Sequence, residues 1–237
     1  MSNDIVQIPC PPKGFEGEVR YAVSPREKRD FHSVLDAKRV LAAAEKLESV
    51  ITMRSEGERL VLETDHPMFT GRLRETVHYA MTSKGLVTDA LDRTVTDPSG
   101  NGARKENVAT YLHDQIGLPL ATYPEVTLPF ILGWLPLDGK RRSLYGWIND
   151  RFVAKLYVEA DGKETVTVPA GRREAIKVIM YPDLNDWVSL GSVLTRLAKP
   201  FVPKYRMWFD VAEPHLLVRF EGPYGPPGAP EIVLARA

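Results

Sequence analysis

The 237-residue sequence carries 31 Lys and Arg against 31 Asp and Glu, with 43% hydrophobic and 26% charged residues. That is the composition of an ordinary globular chain, long enough to bury a substantial core as one large β-rich domain or two small ones. Zero net charge argues against a nucleic-acid binder, which needs a Lys and Arg surplus on one face, and gives no support to electrostatic attachment to an anionic membrane.

Cys10 is the single cysteine, so an intrachain disulfide and a cysteine metal cluster are both excluded. Its proline neighbours Pro9, Pro11 and Pro12 place it in an irregular segment with nothing nearby to lower its pKa. Residues 1–13 lack a basic region followed by an apolar one, and no run approaches the roughly 18 apolar residues of a membrane span. The expected location is cytoplasmic.

In chain order, residues 16–23 alternate, with Val19, Tyr21 and Val23 opposite Glu18 and Arg20, and predict a strand. Ser33-Val34-Leu35-Asp36 has the form of a capping box ahead of a helix over 34–47. Strands follow at 49–54, 59–64, 73–82 and 86–96, and the cluster Asp97-Pro98-Ser99-Gly100-Asn101-Gly102 marks a strong turn. Residues 107–115 suit a short helix, and the proline-bearing stretch 119–129 reads as a connector and the one candidate hinge between two halves. The second half predicts strands at 130–137, 143–149, 152–159, 164–168 and 174–181, then a helix over 190–199 stopped by Pro200. Strands at 205–211, 215–221 and 231–235 complete the chain. Many short strands with two or three helices define a β-dominated fold, all-β or α+β: a strongly curved antiparallel sheet or open barrel with the helices packed on it. The simplest organisation is a single domain over 1–237.

No motif fixes a chemistry. There is no glycine-rich phosphate loop, HExxH or GxSxG, and His32, His66, His78, His113 and His215 form no i,i+2 or i,i+4 pair, so neither a metal site nor a cofactor is expected. One strand stands out. Period two places Leu73, Glu75, Val77, Tyr79 and Met81 on one face and Arg74, Thr76, His78 and Ala80 on the other. Glu75 interrupts an apolar face: it either reaches water or pairs with an arginine, or is a carboxylate with a raised pKa fit to carry a proton.

A second constellation is aromatic. Trp134, Tyr145, Trp147, Tyr157, Tyr205 and Trp208 fall in predicted strands; Ser143, Tyr145, Trp147 and Asn149 share a face, as do Tyr205, Met207 and Phe209, opposite Arg206, Trp208 and Asp210. Such faces are either plain core or, by their polar tips, the lining of a ligand cavity. Lys177 on an alternating face is an edge lysine or a buried amine, and Arg172-Arg173 and Lys140-Arg141-Arg142 are basic turn clusters that are solvated or engage an anionic head group.

Val166-Thr167-Val168-Pro169-Ala170-Gly171, Lys177-Val178, Trp208-Phe209-Asp210 and Pro214-His215-Leu216-Leu217-Val218-Arg219-Phe220-Glu221-Gly222 resemble successive signatures of the bacterial family called domain of unknown function 3108, over about residues 126 to 237. The chain departs from them at Arg172-Arg173 and Ile176. The resemblance implies a curved sheet wrapped round a helix or an apolar cavity, as in lipoprotein-binding and lipid-carrier folds. On that analogy the leading expectation is binding of a hydrophobic or amphipathic small molecule in the concavity by Trp134, Trp147, Tyr157, Tyr205, Met207 and Phe209. The rival is a cofactor-independent lyase, isomerase or cyclase with Glu75 or Asp210 as acid/base beside Tyr79 or Tyr145. A third is an interaction module that pairs through a sheet edge.

Overall fold

The computed structural model describes residues 5–26, 47–68, 71–96, 103–108, 119–149, 152–183, 204–223 and 231–237. The helices expected over 34–47 and 190–199 fall almost wholly outside these. In chain order the strands are β1 (Gly17–Pro25), β2 (Glu48–Glu56), β3 (Arg59–Met68), β4 (Gly71–Thr82), β5 (Gly85–Thr96), β6 (Ala103–Val108) and β7 (Thr122–Pro124), then β8 (Arg142–Asn149), β9 (Phe152–Val168), β10 (Gly171–Pro182), β11 (Tyr205–Asp210), β12 (Leu217–Pro223) and β13 (Glu231–Arg236). Between β7 and β8 lie a one-turn helix, α1 (Leu128–Ile131), and a 3-10 turn over Leu132–Trp134.

All thirteen strands form one sheet in the order β6-β5-β4-β3-β2-β1-β13-β12-β11-β10-β9-β8-β7. Every pairing is antiparallel except β7 with β8. The first and last strands pair in mid-sheet, Tyr21 opposite Arg236, so the N-terminal meander and the C-terminal half share one sheet. Accumulated strand twist brings the far end of this sheet back on its beginning. At the seam Thr88 Oγ1 donates to Thr122 O (2.8 Å) and Tyr123 Oη donates to Leu86 O (2.9 Å). The N-terminal segment straps the same seam: Ile8 N donates to Tyr123 Oη (2.8 Å) and Ile8 O accepts from Leu86 N (2.7 Å). The result is a nearly closed, β-dominated barrel.

Period-two alternation decides what lies inside. Val19, Tyr21, Ile51, Met53, Leu60, Leu62, Val77 and Tyr79 point into one core with Met207, Phe209, Phe220 and Leu234 from the other half. The barrel is filled by the segment between β7 and β8, whose Leu128, Phe130, Ile131, Leu132 and Trp134 are all buried. Each such side chain contributes about 1.5–3 kcal/mol by leaving water. A smaller outer cluster of Val168, Ala175, Trp208 and Val218 lies on the convex side.

Four expectations are corrected here. Residues 130–137 are a helical plug rather than a strand: an unbroken apolar run has no period, and burial on all sides suits a helix as well as a strand. Residues 119–129 are not a connector but contain β7, α1 and the start of the plug, with prolines placed at an edge strand and in the first helical turn. Residues 107 and 108 end strand β6 instead of beginning a helix. The two strands expected over 152–159 and 164–168 are one, β9, because the register shift between Ile176 and Val178 absorbs the extra residues around Gly162, whose φ of 90° suits glycine.

Candidate functional site

Strand β4 carries Glu75 on its inward face, directly between Thr64 of β3 and Arg93 of β5. Glu75 is 1% exposed. Arg93 Nε donates to its Oε1 at 2.5 Å, while Oε2 is buried with no hydrogen-bond partner. Burial pushes the Glu75 carboxyl above the usual carboxylate range, and the Arg93 charge and hydrogen bond pull it back. The guanidinium of Arg93 also lies 5.6 Å from the ring centroid of Trp147, which is 1% exposed. Both readings of Glu75 therefore meet in one residue, a carboxylate in apolar surroundings that is paired with an arginine.

Tyr79, two residues along the same face, is buried and bonded to Thr127 Oγ1. Thr127 Oγ1 already donates its one proton to Pro124 O (3.0 Å), so Tyr79 is the donor. Burial raises the Tyr79 pKa, against a smaller lowering by the Thr127 hydrogen bond. Its hydroxyl is thus occupied in anchoring the turn that leads into α1.

That turn presents a second carboxylate, Glu125. Its backbone N–H donates to Trp147 O (2.9 Å) and its Oε1 accepts from Tyr205 Oη (2.7 Å). Burial pushes the Glu125 carboxyl up to about 7; the Tyr205 hydrogen bond lowers it, the charge of Glu75 raises it, and Arg93 lowers it. Glu125 and Tyr205, together with Val126, Pro129, Met180, Phe220 and Pro223, line a pocket whose free space is about 10 Å³. That is room for one water-sized group. Apart from the acid and the phenol, its walls are apolar.

The structure brings Glu75, Tyr79, Trp134, Trp147, Tyr205, Met207 and Phe209 into the interior. Trp134 is there from the 3-10 turn, not from a strand, with its Nε1 donating to Pro214 O (3.1 Å). Met207 and Phe209 are solid core, and of these residues Tyr205 reaches the pocket. Two candidates, Tyr157 and Asp210, are corrected. Tyr157 sits between the inward Leu156 and Val158 and so faces outward, bonded to Asp183 Oδ2 (2.5 Å) and ringed by Tyr181 and Arg141. Asp210 follows the inward Phe209 and faces out toward Arg236 at 3.9 Å. Tyr145 is half-buried on the face of β8 that also carries Ser143 and Trp147. Of the other polar features, Lys177 pairs with Asp161 at 2.8 Å, Arg141 with Glu159 and Arg142 with Asp138. His66, stacked on Phe130 and bonded to Ser49 Oγ, is a buried neutral core histidine. Among the described residues no three His, Cys, Asp or Glu side chains are placed to hold a metal ion.

Glu125 is absent from the expected site because it lies in the stretch taken for a connector. A signal was present: between Asp114 and Asp138 it is the one charged residue in the sequence. A lone carboxylate in so long an apolar stretch is buried or at a site.

No family model matches the sequence, and no curated protein is similar to it. Among solved structures the chain is similar to the lipoprotein LppX of Mycobacterium tuberculosis, at 14% identity over 95% of this chain and 86% of that one, with a TM-score of 0.26. It is also similar to the hypothetical lipoprotein YmcC of Escherichia coli, at 10% identity over 92% and 82% of the two chains and a TM-score of 0.34. A protein of Bacteroides fragilis described as exported and YmcC-like in fold is similar at 14% identity over 98% of both chains, with a TM-score of 0.29. All three are described as lipoproteins or as exported, and the cytoplasmic expectation is withdrawn on that finding. A neutral chain with one cysteine suits an exported protein as well as a cytoplasmic one. Among the described residues no helix is long and apolar enough to cross a membrane.

Proposed function

We propose that the protein binds an amphipathic small molecule, with its polar end against Glu125 and Tyr205 and its apolar part along Val126, Pro129, Met180, Phe220 and Pro223. One observation carries this reading: a carboxylate and a phenol are the polar groups of an otherwise apolar-walled pocket. That combination of apolar walls with few orienting polar groups is the usual form of a small-molecule site. At rest the pocket admits one water-sized group, so an apolar tail requires its walls to give. Met180, with an unbranched side chain, is the wall suited to do so. The C-terminal motifs that resemble domain of unknown function 3108 fit the same reading, since β10 to β12 supply one side of the pocket.

The enzyme reading has less support. Glu75 is closed off by Arg93, Tyr79 donates its proton to Thr127, and Asp210 faces outward, so the residues expected to carry the chemistry do not share one open site.

The test is native mass spectrometry of protein purified from its own source. A bound small molecule is expected in the wild type and reduced occupancy in Glu125→Leu and Tyr205→Phe. An adduct equally abundant in both variants, or none in any sample, contradicts the reading.

A further inference from the structure

We infer that the head group this pocket accepts is a primary ammonium, which makes the protein a binder of amine-bearing amphiphiles; the inference rests on the pocket reading above. Charge, size and ring geometry point to it together.

The charged and titratable groups that act on Glu125 are Arg93 and Glu75, from β5 and β4, and Tyr205 from β11. Arg93 is directly bonded to Glu75 at 2.5 Å. One guanidinium therefore faces two carboxylates, and Glu75 Oε2 is itself without a partner. Tyr205 supplies a neutral hydrogen bond but no charge. Among the described residues at this site two carboxylates share one cation, and Glu125, the acid that opens on the pocket, is the one Arg93 does not bond. A buried charge without a counter-charge is unfavourable, and a cationic guest at Glu125 supplies what is missing. A carboxylate or phosphate guest meets two acids instead.

Size narrows the cation. Space of about 10 Å³ admits one water-sized group. A primary ammonium enters with less displacement of the walls than a trimethylammonium or a guanidinium requires. The rings of Tyr205 and Phe220, with centroids 6.3 Å apart, both line the pocket, and aromatic rings close to a cation attract it. Around them Val126, Pro129, Met180 and Pro223 give the carbon chain an apolar path.

Binding an ammonium holds Glu125 ionised. With its carboxyl titrating near neutrality in the free protein, uptake of the amine releases a proton and tightens as pH rises from 6 to 8.

Titration calorimetry of the full-length protein at pH 8 and low salt, with octylamine, octanol, octanoate and octyltrimethylammonium as probes, tests this. Octylamine is expected to bind at least about tenfold more tightly than the other three. Glu125→Gln is expected to reduce octylamine to the level of octanol. Octanol, octanoate or octyltrimethylammonium binding as well as octylamine overturns the head-group assignment and leaves the pocket reading standing. So does an octylamine preference that persists in Glu125→Gln. If none of the four binds, the pocket reading fails and the inference fails with it. The wild-type order of the four probes is decisive whatever the stability of the variant.

Discussion

Two ionisable residues, the half-buried Glu125 and the buried His66, set opposite pH dependences. Burial raises Glu125 from 4.5 to about 7, so the folded state holds the proton more tightly than the unfolded chain. Its contribution to stability is fully present below pH 4.5 and is lost as pH rises through about 7, a swing of about 3 kcal/mol. Burial lowers His66 from 6.5 to about 3, so its contribution is present above pH 6.5 and is lost as pH falls toward 3. Urea unfolding of Glu125→Gln at pH 5 and pH 8 is expected to show a smaller loss of stability across that interval than the wild type; an unchanged loss rules Glu125 out as its source. Glu75 and Arg93 give a second test. Arg93→Met leaves a buried carboxylate without its cation and is expected to cost about 3–5 kcal/mol, most of it recovered in the double variant Arg93→Met with Glu75→Leu. Equal losses in the single and double variants mean that the pair is not coupled.

At the level of elements, the plug formed by α1 and the following 3-10 turn fits the barrel closely. A Cβ at Gly133 would meet His215 O at 2.2 Å and Phe209 Cδ1 at 2.6 Å. Gly133→Ala is therefore expected to lower stability by about 1–3 kcal/mol through displaced backbone and side chains, measured by denaturant unfolding; a neutral result places the plug elsewhere. The same element marks where the sequence stops being legible. Strands such as β4, with Leu73, Val77 and Tyr79 against Arg74 and His78, announce their faces because one side is wet and the other dry. Phe130-Ile131-Leu132 has no wet side, so it has no period, and a buried helix looks like a buried strand. The carboxylate of Glu75 was legible from alternation, as a break in a dry face. Arg93 was not, because nothing local shows that β5 lies beside β4 in the register that joins them. Glu125 was hidden by the prolines at 119, 124 and 129, which read as breaks in structure but serve as an edge-strand residue and a helix start.

For the whole molecule, closure is the defining property. The sheet's ends meet through side chains and through the N-terminal strap, not through a continuous ladder from β5 to β7. Ile8 is fully buried at that seam, and its backbone bonds both Leu86 and Tyr123. Ile8→Ala is expected to cost about 2–5 kcal/mol and to speed amide exchange at Leu86 more than in mid-sheet strands such as β1. Uniform acceleration across the sheet is the contrary result, showing that the strap does not hold the seam in particular. The aromatic residues divide at this scale too. Period two sends Tyr205 and Phe209 inward and Trp208 outward, whereas Tyr157, of the same residue type as Tyr205, lies outside because its strand neighbours Leu156 and Val158 point in.

The central claim is that Glu125 is a half-buried carboxylate lining a ligand pocket. Carbon-13 NMR of carboxyl-labelled glutamates, assigned with Glu125→Gln, tests it most directly. The account predicts that Glu125 titrates near pH 7, far above the exposed glutamates, and that its resonance moves and its midpoint falls when octylamine is added. A Glu125 midpoint near 4.5 that is indifferent to octylamine contradicts the account.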